Sequence, residues 1–273
     1  MTWKLDCGSY TLYVIADGYY WRDPAVYHAE STERDWRFHV RDGQGLARLN
    51  FGCWLLTDGE HTMMVDAGIG ELAQEGMTAG LMPEAVDALG IPRESVETVV
   101  YTHMHYDHIG GSQRRGEIVF PGARHVMHAN EWAYWREVDN DFGRAARSLM
   151  GPLLDSGIVD FVDEDTEVLP GITAVEAFGH TPGHLSVRVR SEGIDTLIGG
   201  DLSNHPFQVE HPDWSLPVDC DHELAGTTRD RVFEEIRDQE TTFAASHYPM
   251  PGVGKIVTDE GVRVFQPSSI VEV

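Results

Sequence analysis

The stretch Thr102-His103-Met104-His105-Tyr106-Asp107-His108-Ile109-Gly110-Gly111 decides how this chain is read. It places His103, His105, Asp107 and His108, all potential metal ligands, directly after the apolar run Val99-Val100-Tyr101. An imidazole carries a donor and an acceptor that burial obliges the fold to satisfy, so histidines are rarely gathered for packing alone. In extended backbone alternate side chains share a face, which lets His103 and His105 converge on one cation. If the chain then turns, Asp107 and His108 point elsewhere and reach a second cation. A solvated loop that happens to be rich in histidine is the competing reading, and the metal reading requires further ligands downstream.

Such residues follow, each where a strand is expected to end. Ile172 to Phe178 reads as a strand and runs into Gly179-His180-Thr181-Pro182-Gly183-His184. Thr196 to Gly200 empties into Asp201, and Thr242 to Ser246 delivers His247 before Pro249 and Pro251. Upstream, Thr62 to Val65 delivers Asp66 into Ala67-Gly68-Ile69-Gly70. In layered α/β folds the loops beyond strand ends are where ligands bind and chemistry is done.

Through Asp66, His103-x-His105-x-Asp107-His108, Gly179-His180-Thr181, Asp201 and His247, in that order, the sequence resembles the metallo-β-lactamase-fold hydrolase superfamily, over about residues 50 to 255. The resemblance implies an αββα sandwich, two mixed β-sheets between outer helices, within the α/β class. It implies that His103, His105 and His180 hold a first metal, that Asp107, His108 and His247 hold a second, and that Asp201 bridges them. Asp66 is then a partner that orients ligands without touching a metal. His184, the second histidine of its motif, is expected to be a supporting residue of the same kind.

Two divalent ions sharing a water lower its pKa toward neutrality, so the expected enzyme is a dinuclear metal-dependent hydrolase whose bridging hydroxide attacks a carbonyl. Asp107 is the expected catalytic residue, positioning the hydroxide and passing its proton to the leaving group. Zinc is the first expectation for imidazole and carboxylate ligands without thiolate, and iron, manganese and cobalt tolerate the same set.

The complete ligand set is similar to that of lactonases, glyoxalase II thioesterases and organophosphate-hydrolysing relatives. No basic C-terminal glutathione-binding segment is present, and the first motif has no glutamate of the flavodiiron kind, so a lactone or carboxylic ester is the expected substrate. A β-lactam, a phosphotriester, or non-hydrolytic oxygenase chemistry on one iron are the alternatives. In the best-known acyl-homoserine lactonases a tyrosine three residues after the bridging aspartate helps polarise the substrate carbonyl, whereas this chain has Asn204 there. The surrounding Ser203 to Val209 and His247-Tyr248-Pro249-Met250-Pro251-Gly252 are similar to the methyl parathion hydrolase-like group, and Asn204 or His205 is a candidate for the missing donor to substrate.

Composition bounds the rest. The 273 residues suit a single domain spanning 1–273, with neither a repeat nor a low-complexity tract. A formal net charge of −25 repels phosphate backbones, which excludes nucleic acid as a partner and leaves a small-molecule substrate. No apolar run is long enough to cross a membrane, and the first twenty residues carry no secretion signal, so a cytoplasmic enzyme is expected. Three widely spaced cysteines, Cys7, Cys53 and Cys220, make no disulfide framework.

Elsewhere the pattern predicts a strand at Thr11 to Ala16 and a hairpin joining Phe51 to Leu56 with His61 to Val65 through Asp58-Gly59. Helices are predicted at Met82 to Leu89, Asn130 to Glu137 and Asp221 to Arg237, and a closing hairpin turns at Asp259-Glu260-Gly261. Trp21 to Arg48 is charged and weakly periodic, an excursion that either covers the site, forms a homodimer contact or is a plain surface loop. Tyr19, Tyr20, Trp21 and Trp36 are candidates for a pocket wall or for core packing.

Overall fold

Short apolar runs punctuated by turn residues give this chain mainly strands, and a computed structural model describes all 273 residues. The N-terminal half supplies β1 (Thr2–Cys7), β2 (Tyr10–Arg22), β3 (Ala47–Thr57), β4 (Thr62–Val65), β5 (Thr98–Val100), the small ladder of β6 (Gln113–Arg114) and β7 (Glu117–Ile118), β8 (Arg124–His128) and β9 (Val159–Val162). The C-terminal half adds β10 (Thr166–Leu169), β11 (Ile172–Glu176), β12 (Leu185–Ser191), β13 (Ile194–Ile198), β14 (Thr242–Ala244), β15 (Val253–Asp259), β16 (Val262–Pro267) and β17 (Val271–Glu272). One sheet runs β17-β1-β2-β3-β4-β5-β8-β9, the other β10-β11-β12-β13-β14-β15-β16. The helices are α1 (Pro24–Tyr27), α2 (Met82–Ala88), α3 (Tyr106–Ile109), α4 (Ala129–Trp135), α5 (Asp141–Asp155), α6 (Phe207–Glu210) and α7 (His222–Ile236).

The layering follows from strands buried on both faces. In β3 every residue from Leu49 to Leu56 is buried. Trp54 and Leu56 point into the space between the sheets, where they meet Val14, Leu185, Val187 and Ile198. Cys53 and Leu55, one step out of phase, face the opposite way, toward Met82 of α2 and Ala146 and Met150 of α5. Successive side chains of a strand alternate faces, so one apolar run serves both layers. On the far side Val232, Phe233 and Ile236 of α7 cover Leu197, Phe243 and Ile256 of the second sheet. The order is helix, sheet, sheet, helix, as the resemblance implies.

Parallel neighbours place the candidate site at one edge. β4 and β5 pair in parallel, as do β13 and β14, so their C-terminal ends emerge together. Asp66 follows β4, the His103 cluster follows β5, Asp201 follows β13 and His247 follows β14.

Three features depart from the sequence expectation. β2 continues to Arg22, pairing Tyr20 with Leu49 and Trp21 with Arg48, so the excursion begins later than Trp21. Helix α5 was not anticipated, because Gly143, Gly151 and Pro152 interrupt its helical pattern; Asn140 starts it by accepting from the Gly143 amide at 2.9 Å. β1 and β17, both outside the strands read from the pattern, extend the first sheet at its edge. The excursion itself is anchored: Trp36 is buried against Ala47, Leu49, Phe207 and Leu216.

Candidate metal centre

The tight turn α3 splits the leading motif. His103 and His105 precede it in extended backbone, and Asp107 and His108 lie within it. The structure brings together two sets of donors. Ligand atoms of His103, His105, His180 and Asp201 all lie within 4.8 Å of one another, and those of Asp107, His108 and His247 do the same. Asp201 stands between the sets: its Oδ2 is 3.3 Å from His180 Nε2, its Oδ1 is 3.2 Å from His108 Nε2, and His247 Nε2 is 3.2 Å from each oxygen.

The hydrogen bonds behind these side chains fix which nitrogen faces inward. His108 Nδ1 donates to Asp66 Oδ2 at 2.8 Å, His180 Nδ1 to Asp219 Oδ1 at 2.8 Å, and His247 Nδ1 to the Asn50 carbonyl at 2.7 Å. His103 Nδ1 donates to Thr102 Oγ1 at 3.1 Å, and that hydroxyl donates on to Asp66 at 2.8 Å. In the neutral ring each Nε2 is thereby left with a lone pair directed at the others. His180 Nε2 lies 3.2 Å from His103 Nε2 and 3.0 Å from His105 Nδ1 with no proton assigned between them. Converging lone pairs repel in a buried site unless a cation sits among them, and His108 Nε2 and Asp201 Oδ1 have no hydrogen-bond partner. The donor set therefore fits metal ions.

Electrostatics divide the two sets. Burial, reinforced by the neighbouring imidazoles, holds His103 and His105 far below the usual histidine range. Burial also presses on His108 and His247, but nearby carboxylates outweigh it and hold both above that range: Asp201, Asp66 and Asp107 for His108, Asp201 and Asp107 for His247. Burial would raise Asp201, yet His247 and His108 keep it well below the usual carboxylate range.

Of the supporting residues read from sequence, Asp66 lies behind His108. It adopts a left-handed φ of 60°, and Oδ1 accepts from the Thr102 amide at 2.8 Å. His184 is buried, its Nδ1 donates to the Ala177 carbonyl and its Nε2 accepts from the Asp201 amide at 3.0 Å, so no lone pair remains for a metal. Burial pushes it down to about 3, and it stays neutral. Asn204 lines the site and donates from Nδ2 to Asp201 Oδ2 at 2.5 Å. His205 does not join the site. It stacks on Phe207 and His39 and packs against Trp36, since the apolar cluster around Trp36 accepts its ring.

Two buried carboxylates escaped the sequence reading. Asp219 supports His180 as Asp66 supports His108, and Arg229 lies 3.6 Å behind it. Glu131 accepts from the Met104 and Gly183 amides at 2.9 and 2.8 Å and from Trp135 Nε1, tying the leading motif to the His180 loop. Neither belongs to a recognisable motif, and their only local signal is proximity to a helix start.

The metallo-beta-lactamase superfamily model matches residues 53–247, which spans all of these stations from Asp66 onward. The chain belongs to the metallo-beta-lactamase superfamily. As a member it is a metallo-hydrolase. An N-acyl homoserine lactonase of a Bacillus species is 24% identical to this member over 235 residues, 78% of this chain and 84% of the relative. AttM of Azorhizobium caulinodans, also an N-acyl homoserine lactonase, is 33% identical over 114 residues, 38% of this chain and 40% of its own. Among solved structures, the superfamily hydrolase AbOPH superposes with a TM-score of 0.86 at 20% identity, covering 100% of this chain and 97% of the other. AidC, a dizinc quorum-quenching lactonase in complex with a product, reaches 0.85 at 20% identity, covering 99% and 98%. These likenesses establish a fold shared along nearly the whole chain, N-terminal strands included.

Proposed function

We propose that this metallo-hydrolase is a dinuclear zinc lactonase that opens a lactone, or the equivalent carboxylic ester, carrying an apolar acyl group. The observation that carries the reading is the position of Asp201 between two donor sets at the floor of one cavity. That cavity, of about 330 Å³, is walled by Phe51, Met77, Phe142, Leu216 and Val218 above Asp107 and Asp201. Such a volume suits a small ring with a short chain. The names of the relatives agree with this substrate class.

In this reading His103, His105 and His180 would hold one ion and Asp107, His108 and His247 the other, with Asp201 placed between the two sets. When bound, the ions supply a water of lowered pKa and polarise the acyl oxygen. Imidazoles and carboxylates without thiolate suit zinc. The chain's own residues orient and move the proton. Asp107 is the least buried of the set and faces the cavity, with Oδ2 3.5 Å from His247 Nε2 and 3.8 Å from His108 Nε2. Its carboxylate takes a proton from the attacking water and returns it to the departing ring oxygen, so that water adds across the acyl C–O bond. Val26 and Tyr27 of the excursion also line the cavity, which supports residues 21–48 as a cover belonging to the same domain, 1–273.

Metal analysis of the purified chain, paired with turnover of an N-acyl homoserine lactone, nitrocefin and paraoxon before and after chelation, tests the reading. The expected result is about two zinc ions per chain, with lactone turnover lost on chelation and restored by zinc. A content of one iron per chain, or preferential turnover of the β-lactam or phosphotriester, would overturn it.

A further inference from the structure

Charge that develops on a substrate oxygen during acyl transfer needs a donor aimed at it. Asn204 gives one of its two Nδ2 hydrogens to Asp201 Oδ2, which holds its amide against that carboxylate and leaves one N–H. His205 is turned away among Trp36, His39 and Phe207. Three phenols line the cavity instead: Tyr20, Tyr27 and Tyr106.

Their surroundings separate them. Tyr106 is partly exposed, stacks on Phe142 at 5.1 Å, and feels Asp141 of the neighbouring helix as well as Asp107. Tyr27 is held edge-on to Trp36 at 5.4 Å and tilted against Phe207, within the cluster that takes His205. Tyr20 projects from β2, a strand held by its pairing with β3, and its ring lies on Phe51 at 5.3 Å with an interplanar angle of 17°. Phe51 in turn meets His247 edge-on at 6.1 Å. Tyr20 lines the cavity together with Asp107, Asp201 and His247, which puts its ring beside the centre of the site. Ring and strand are fixed, so the hydroxyl torsion is the freedom that remains.

We propose that Tyr20 is the hydrogen-bond donor to the acyl oxygen of the substrate. The phenol O–H stays intact: it donates a hydrogen bond and transfers no proton. A phenol with an ordinary value of about 10 is protonated across the working range, as a donor must be. The proposal rests on the lactonase reading for its substrate.

Tyr20→Phe retains the ring on Phe51 and removes only the hydroxyl, and Tyr27→Phe is the matched comparison. With an N-acyl homoserine lactone, Tyr20→Phe is expected to lower kcat about 100-fold with KM changed less than about threefold, and Tyr27→Phe to lower kcat less than Tyr20→Phe does. Metal content and Tm are expected to match the wild type. By calorimetry, the ring-opened product, whose carboxylate offers the same oxygen, is expected to bind Tyr20→Phe about tenfold more weakly. Unchanged kcat and product affinity in Tyr20→Phe, or a larger loss in Tyr27→Phe, would overturn the assignment. If wild type turns over paraoxon and not the lactone, the lactonase reading fails by itself. The two variants compared on paraoxon then decide Tyr20 separately: a larger loss in Tyr20→Phe than in Tyr27→Phe supports it, and its absence overturns it.

Discussion

A histidine near a metal is useful only if the right nitrogen carries the lone pair, and in this chain that choice is made by the residue behind each ring. Asp66, Asp219, the Asn50 carbonyl and Thr102 each take an Nδ1 proton and so turn an Nε2 inward. Partners of this kind typically control metal affinity by 10- to 100-fold. Asp219→Asn, which keeps the shape but removes the charge behind His180, is therefore expected to weaken metal binding about tenfold in a chelator competition; unaltered affinity would reduce Asp219 to a partner of Arg229 alone. The ligand types were legible in the sequence because His103, His105, Asp107 and His108 are adjacent. Asp219 was not, since it meets His180 across 39 positions and no local pattern announces that contact. His205 shows the complementary case: its neighbour Asn204 faces the cavity, but one step further along, the chain turns the ring into the Trp36 cluster.

At the scale of elements, loops at strand ends hold the chemistry, and two glycines let those loops close. Gly179, at φ 132°, precedes His180, and a Cβ there would stand 2.3 Å from the Ala225 amide nitrogen. Gly200, at φ 57°, precedes Asp201, and a Cβ there would meet Thr102 Cβ at 2.8 Å and His184 Nε2 at 2.9 Å. Neither conformation suits a side chain, and neither neighbour is a flexible tip. Gly200→Ala is expected to destabilise the chain by about 1–3 kcal/mol in denaturant unfolding and to weaken metal binding, because Asp201 shifts with it. A normal unfolding midpoint would show that the loop tolerates the methyl group. Strands such as β3 and β4 were readable from apolar runs and the Asp58-Gly59 turn. Helix α5 was not, because tertiary packing of Ala146, Met150 and Leu153 carries a segment whose glycines and proline argue against helix.

Over the whole molecule, buried imidazoles of opposite tendency set a pH window for the metal-free chain. His108 and His247 are raised, so the stability they contribute is present below the unfolded histidine value of about 6.5 and is lost as pH rises through their folded values. His103 and His105 are lowered; they resist protonation when folded, so stability falls as pH drops below that same value. The chelated protein is therefore expected to show its highest Tm near pH 6.5, whereas metal binding, which must displace protons from His108 and His247, strengthens as pH rises. Calorimetric scans across pH with and without zinc check both slopes; a metal-free Tm that climbs steadily above pH 7 would contradict the first.

The sequence by itself determined the inventory of candidate ligands, the superfamily and the layered fold, because those depend on residue type, short spacing and strand periodicity, all of which are local. Only the tertiary structure decided which residues surround that inventory. Asn50 reaches His247 across 197 positions, Glu131 joins two loops across 52, and Tyr20 is carried to the cavity by the extension of β2. Such contacts form where two sheets close on one another, and burial there rewards whichever polar groups the packing brings within hydrogen-bond reach, however far apart they lie along the chain.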